Sequence, residues 1–90
     1  MSEEKLYCGI VFIGTGSSWA YGDTPEKAAK AAAKLCRRDW GRLFKLDDQP
    51  IKVNVIDMTD HEGWFADHRG IYADGTDEPI EVIAKLVIVP

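Results

Sequence analysis

The side chains best equipped for chemistry gather in the second half of the chain. His61-Glu62-Gly63-Trp64-Phe65-Ala66-Asp67-His68, with Asp57 and Asp60 just ahead, brings together imidazoles and carboxylates of the kind that ligate metals or move protons. Two histidines seven positions apart fit no dependable zinc spacing, and Cys8 and Cys36 are remote in sequence. Proton transfer also needs a pocket that arranges its groups about a substrate, and spacing alone supplies none. The segment is read as a solvated acidic loop, with no catalytic residue, metal or cofactor expected.

Gly14-Thr15-Gly16-Ser17-Ser18 follows an apolar stretch, as phosphate-cradling loops do. The next stretch reads as a strand, so no helix N-terminus receives a phosphate, and the lysine of a P-loop is missing. A hairpin turn is the expectation.

Charge is the remaining chemical signal. The 90 residues carry a net charge of −4, but unevenly: residues 1–46 balance at +3 and residues 47–90 at −7. Such a field steers partners and discourages non-specific contact with nucleic acid on its acidic side. Asp57, Asp60, Glu62, Asp67, Asp74, Asp77, Glu78 and Glu81 form an acidic series within which Trp64 and Phe65 could anchor a partner. Spaced carboxylates of this kind can imitate a phosphate backbone and engage a cationic protein surface. On the other side, Lys27, Lys30, Lys34, Arg37, Arg38 and Arg42 share one helical arc and could contact phosphates.

The elements that position these groups follow from periodicity. Thr24 to Lys45 is the one long helical pattern, with Ala29, Ala32, Ala33, Cys36, Trp40, Leu43 and Phe44 on an apolar arc opposite the cationic one. Thr24 can cap, Pro25 suits the first helical position, and Glu26 sits where the helix dipole favours an anion. Gly41 either stops the helix or is tolerated within it. Five alanines between positions 28 and 33 let the backbone approach a sheet closely, and Leu35 flanks the arc.

Leu6 to Ile13 is apolar in both alternating sets, which marks a central strand, and Ser18 to Tyr21 reads as its hairpin partner. Ile51, Val53 and Val55 alternate with Lys52 and Asn54. Asp57 to Gly63 reads as a polar loop, Trp64 to Tyr72 as a single strand, and Ile80 to Val89 as a last strand with Ile80, Val82, Ala84, Leu86 and Ile88 on one face. The expected fold is one α+β domain over residues 1–90. In this two-layer sandwich (β-β-α-β-β-β) one helix lies on a mostly antiparallel five-stranded sheet in the order 2-1-3-4-5. One helix cannot cover five strands, so part of a sheet face should stay open, with Trp19, Tyr21, Trp64, Phe65 and Tyr72 as candidates to lie there.

Tyr21-Gly22-Asp23-Thr24-Pro25-Glu26-Lys27-Ala28 resembles the strand-to-helix junction of HicB-type antitoxins, whose partial ribonuclease-H-like domain enters its helix in a similar way. The likeness is confined to this junction, and the family identity is not carried over. It implies a nucleic-acid-binding or antitoxin-like use of the basic helix face. At the level of type, a small acidic αβ domain without a catalytic signature is similar to phage-encoded inhibitors, including anti-CRISPR proteins. An N-terminus lacking the cationic and apolar regions of a secretory signal, and the want of a long apolar run, point to a soluble cytoplasmic protein with free, core-facing thiols at Cys8 and Cys36. The expectation is a non-enzymatic binding module with a cationic protein partner and no membrane contact. Nucleic acid is the alternative partner.

Overall fold

A computed structural model of the chain describes residues 4–67, 69–76 and 78–90. β1 (Tyr7–Ile13) and β2 (Gly16–Gly22) form the expected hairpin around a two-residue turn, whose first position, Gly14, takes φ +57°. A glycine there satisfies the type II′ requirement for a positive φ that matches strand twist.

α1 spans Pro25–Phe44. The Thr24 hydroxyl accepts from the Lys27 amide at 3.1 Å, and Pro25 and Glu26 occupy the first turn. The helix runs through Gly41 and ends at Lys45, where a left-handed backbone (φ 54°) sends the Lys45 and Leu46 amides back to the Gly41 carbonyl. Ala28, Ala29, Ala32, Ala33 and Cys36 are buried and Trp40 is half-buried. Leu43, expected on the same buried arc, is instead 72% exposed. The last helical turn lies level with the β1–β2 turn, where Trp40 meets Gly16 and Phe44 meets Gly14, and the sheet ends beneath it.

Two glycines set the depth of the helix. A Cβ at Gly9 would stand 2.6 Å from the Ala28 carbonyl oxygen, and one at Gly22 would stand 2.5 Å from the Ala28 nitrogen. With no side chain at either position, the first turn of α1 rests directly on β1 and the end of β2.

The main sheet has four strands in the order β2-β1-β3-β6, all neighbours antiparallel, with β3 at Ile51–Asp57 and β6 at Val82–Ile88. Val11, Ile51, Val53 and Val55 meet the alanines and Cys36 on one face, joined by Ala84, Leu86 and Ile88. The α+β class and the antiparallel helix-on-sheet arrangement hold, but the five-strand order 2-1-3-4-5 does not. Trp64 to Tyr72 is not one strand. It folds into a hairpin of β4 (Trp64–Asp67) and β5 (Gly70–Ala73) that forms a separate sheet. The physical reason is the turn chemistry of Asp67, whose carboxylate accepts from the Arg69 amide at 2.7 Å, followed by Gly70 at φ +153°.

This hairpin covers the second face of the main sheet. Cys8, Ile10, Ile56 and Met58 beneath it pack with Ile71, Ala73 and Ile80, bordered by Trp64, Ala66 and Val82. The molecule therefore has helix, sheet and hairpin layers, and much of the face expected to stay open is filled by its own chain. The polar loop after β3 likewise begins with a buried residue, Met58, whose amide donates to the Leu6 carbonyl at 2.7 Å. The last strand also starts later than expected. Ile80 pairs with the hairpin, its amide donating to the Ile71 carbonyl at 2.8 Å. A bulge between Val55 and Ile56 in the β3–β6 register leaves Ile83 unpaired and 48% exposed, and Val82 packs with the second-face cluster, away from the helix. Among the described residues, no helix is long and apolar enough to cross a membrane.

Gly9→Ala tests the close approach. At an unencumbered strand position this change is neutral or stabilising. Here overpacking against the helix backbone should destabilise the fold by about 2 kcal/mol or more in chemical denaturation. A change below about 0.5 kcal/mol would contradict the contact.

Candidate functional site

The outer face of the β4–β5 hairpin presents Phe65 and Tyr72, a directly paired cross-strand couple with ring centroids 5.4 Å apart and planes at 25°. Phe65 is exposed, and the Arg69 guanidinium lies 5.6 Å from the Tyr72 ring centroid. Asp60, Glu62, Asp67, Asp74 and Glu78 are all exposed in the loops and strand of this layer. Trp64 faces the other way: it is half-buried beneath the hairpin and meets Trp19 edge-on at 5.9 Å and 88°. Asp77 and His68 lie outside the described residues.

Two of the acidic candidates are engaged locally. Asp57 accepts from the Thr59 amide at 2.9 Å. Hydrogen bonds from the Thr59 side chain and backbone hold its carboxyl below the usual carboxylate range. Asp67 accepts first from the Arg69 amide and then from its guanidinium, at 3.0 Å from Nη2, and its carboxyl is lowered for the same reason. The carboxylates of Asp60, Glu62, Asp74 and Glu78 make no hydrogen bond or ion pair with the other described residues.

The basic helix face is also divided. Arg37 is structural, because its Nη2 donates to the Gln49 carbonyl at 3.1 Å and to the Ile88 carbonyl at 3.0 Å, clipping α1 to the end of β6. Lys27 pairs with Asp23 at 3.2 Å and Arg38 with Asp39 at 3.1 Å, both in solvent where such pairs contribute little. Lys30, Lys34 and Arg42 stay exposed and outside the described ion pairs.

A second feature is absent from the acidic and basic series. Because the hairpin strands are only four residues long, they leave the far part of the sheet's second face bare, and a groove of about 380 Å³ opens at their margin. Phe12, Asn54 and Lys85 line it from the sheet, Arg69, Gly70 and Tyr72 from the hairpin. Phe12 belongs to a strand that is apolar in both alternating sets, yet it is 50% exposed. The available signal was charge: residues 47–90 hold only three cations, Lys52, Arg69 and Lys85.

No group of three or more His, Cys, Asp or Glu among the described residues is placed to hold a metal ion. Cys8 and Cys36 are buried free thiols on opposite faces of the sheet. Comparison with protein families, with curated proteins and with solved structures finds no match for the chain.

Cys8 reports on the hairpin that covers it. Burial pushes its thiol from the ordinary 9.0 up to about 12, only partly opposed by a hydrogen bond with Trp64. Its neutral form is favoured on folding, so the associated stability is fully present below pH 9.0 and is lost as pH rises from there toward about 12. In native protein at pH 8, Ellman's reagent should leave Cys8 unlabelled over the time in which denatured protein reacts completely. Rapid native labelling of Cys8 would show that the hairpin does not seal this face.

Proposed function

We propose that the protein is a non-catalytic protein-binding module of the cytoplasm that sets the outer face of its β4–β5 hairpin against a cationic surface of a larger complex. In this role it would act as an inhibitor of phage or mobile-element type, anti-CRISPR-like, occupying a basic nucleic-acid-binding site. The observation that carries the reading is the stack of exposed Phe65 on half-buried Tyr72, with Asp60, Glu62, Asp74 and Glu78 exposed in the same layer. An apolar aromatic centre within a charged rim is the usual division between affinity and steering at an interface. Asp67 contributes by shaping the turn, and Asp57 by shaping the loop before the hairpin.

The alternative, a nucleic-acid-binding or HicB-type antitoxin-like domain, draws support from Lys30, Lys34 and Arg42 on the helix layer, which are exposed and enter no ion pair among the described residues. The two readings separate cleanly because they use opposite sides of the sheet.

Capture from host lysate by the tagged protein, compared with a variant carrying Asp60→Lys, Glu62→Lys and Glu78→Lys, tests the first reading. The expected result is a strongly basic captured protein whose recovery drops at least tenfold with that variant and also with Phe65→Ala. Recovery unaffected by these changes, together with a salt-dependent nucleic-acid gel shift abolished by Lys30→Glu and Lys34→Glu, would replace it with the second.

A further inference from the structure

We propose that the groove between the hairpin turn and the bare part of the sheet binds a nucleoside phosphate, either free or as one unit of a single strand. The first support is charge placement. The half of the chain that balances at −7 has three cations, and two of them, Arg69 and Lys85, line the groove. The third, Lys52, is exposed on the strand beneath, two residues from Asn54 and therefore on the same face. Asn54 pairs directly with Lys85 across the β3–β6 ladder, so the Lys52, Asn54 and Lys85 side chains project together from two neighbouring strands. Neither lysine enters a described ion pair.

The second support is the wall. Phe12 stands half-exposed on β1, which pairs with β3 at Ile10 and Asn54, and so it flanks Asn54 diagonally. A flat, exposed aromatic ring beside a side-chain amide that both donates and accepts suits a nucleobase, whose face stacks and whose edge hydrogen-bonds. The volume, about 380 Å³, is that of a small-molecule site. Arg69 is already paired with Asp67 and leans over Tyr72, so it acts as a positioned edge of the groove, while the two lysines carry charge that no ion pair among the described residues offsets.

An acidic peptide is disfavoured because its spread-out carboxylates would also approach Asp67 and the other carboxylates of the hairpin layer. A phosphate concentrates its charge at one point, nearly two units in a free nucleotide's monoester and one in a strand's diester, where the lysines can meet it. This site shares Tyr72 and Arg69 with the margin of the hairpin's outer face, and its other lining residues, Phe12, Asn54 and Lys85, belong to neither that face nor the basic helix face.

Isothermal titration and amide chemical-shift mapping with AMP, inorganic phosphate, a mixed-sequence ten-nucleotide single-stranded RNA and a hexaglutamate peptide test the assignment. AMP binding, with shifts centred on Phe12, Asn54 and Lys85, supports a free nucleotide. RNA binding without AMP binding supports a strand, with a salt slope shallower by about 0.7 in Lys85→Ala. In either case Phe12→Ala and Lys85→Glu should each weaken binding at least tenfold, whereas binding that survives both and is lost with Lys30→Glu and Lys34→Glu would lie on the basic helix face and overturn the proposal. All four positions are exposed, and unchanged circular dichroism confirms that the variants fold. Binding of neither AMP nor RNA would overturn the proposal. So would hexaglutamate binding in their place, inorganic phosphate binding as tightly as AMP, or nucleotide affinity that survives Phe12→Ala.

Discussion

A sheet that is apolar on both faces has to be covered twice, and this chain has one helix with which to do it. β1 puts Tyr7, Val11 and Ile13 toward the helix and Cys8 and Ile10 toward the other side. Leaving the second set in water would forfeit about 1.5 to 3 kcal/mol for each large side chain. The chain resolves this with its shortest strands. β4 and β5 fold onto the second face through Trp64, Ala66, Ile71 and Ala73, and the segment leading into β6 adds Ile80. That cover creates an outward hairpin face and, where it stops short, a groove.

The helix side obeys a different constraint, that of distance. Gly9, Gly22 and Ala28 bring two backbones together at one end, while Trp40 and Phe44 hold the other end above Gly16 and Gly14. The helix lies tightly at its start and runs past the sheet at its finish, which is why Leu43 is in solvent. Arg37 then ties the helix to the Ile88 carbonyl at the far edge of the sheet. A charge that looks from its periodicity like part of a solvated face is a structural clip.

The helix was legible because twenty residues of consistent periodicity, a Thr-Pro-Glu start and an alanine stripe all agree. The β1–β2 hairpin was legible because Gly14 marks a turn of the required hand. The second hairpin was not, because each strand has only four residues and the turn is written in polar residues, Asp67 and Arg69, that read equally well as the exposed face of one longer strand. The bulge at Ile83 could not be foreseen either, since alternation continues unbroken through Ile80, Val82 and Ala84 while the partner strand slips beneath it. Phe12, Asn54 and Lys85 were invisible as a site for a related reason. They lie on three strands, and only the register β1-β3-β6, itself dependent on where the hairpin goes, makes them neighbours.

The docking of the β4–β5 hairpin on the second face is the claim from which the groove, the outward aromatic pair and the protected thiol all descend. Its most direct measurement is the nuclear Overhauser effect between the indole ring protons of Trp19 on β2 and Trp64 on β4, whose ring centroids are 5.9 Å apart and edge-on. The account predicts clear cross-peaks, with Trp64 ring protons shifted upfield by the neighbouring ring. Resolved Trp64 resonances with solvent-like shifts and no cross-peak to Trp19 would show a hairpin lying free of the sheet, and would contradict it.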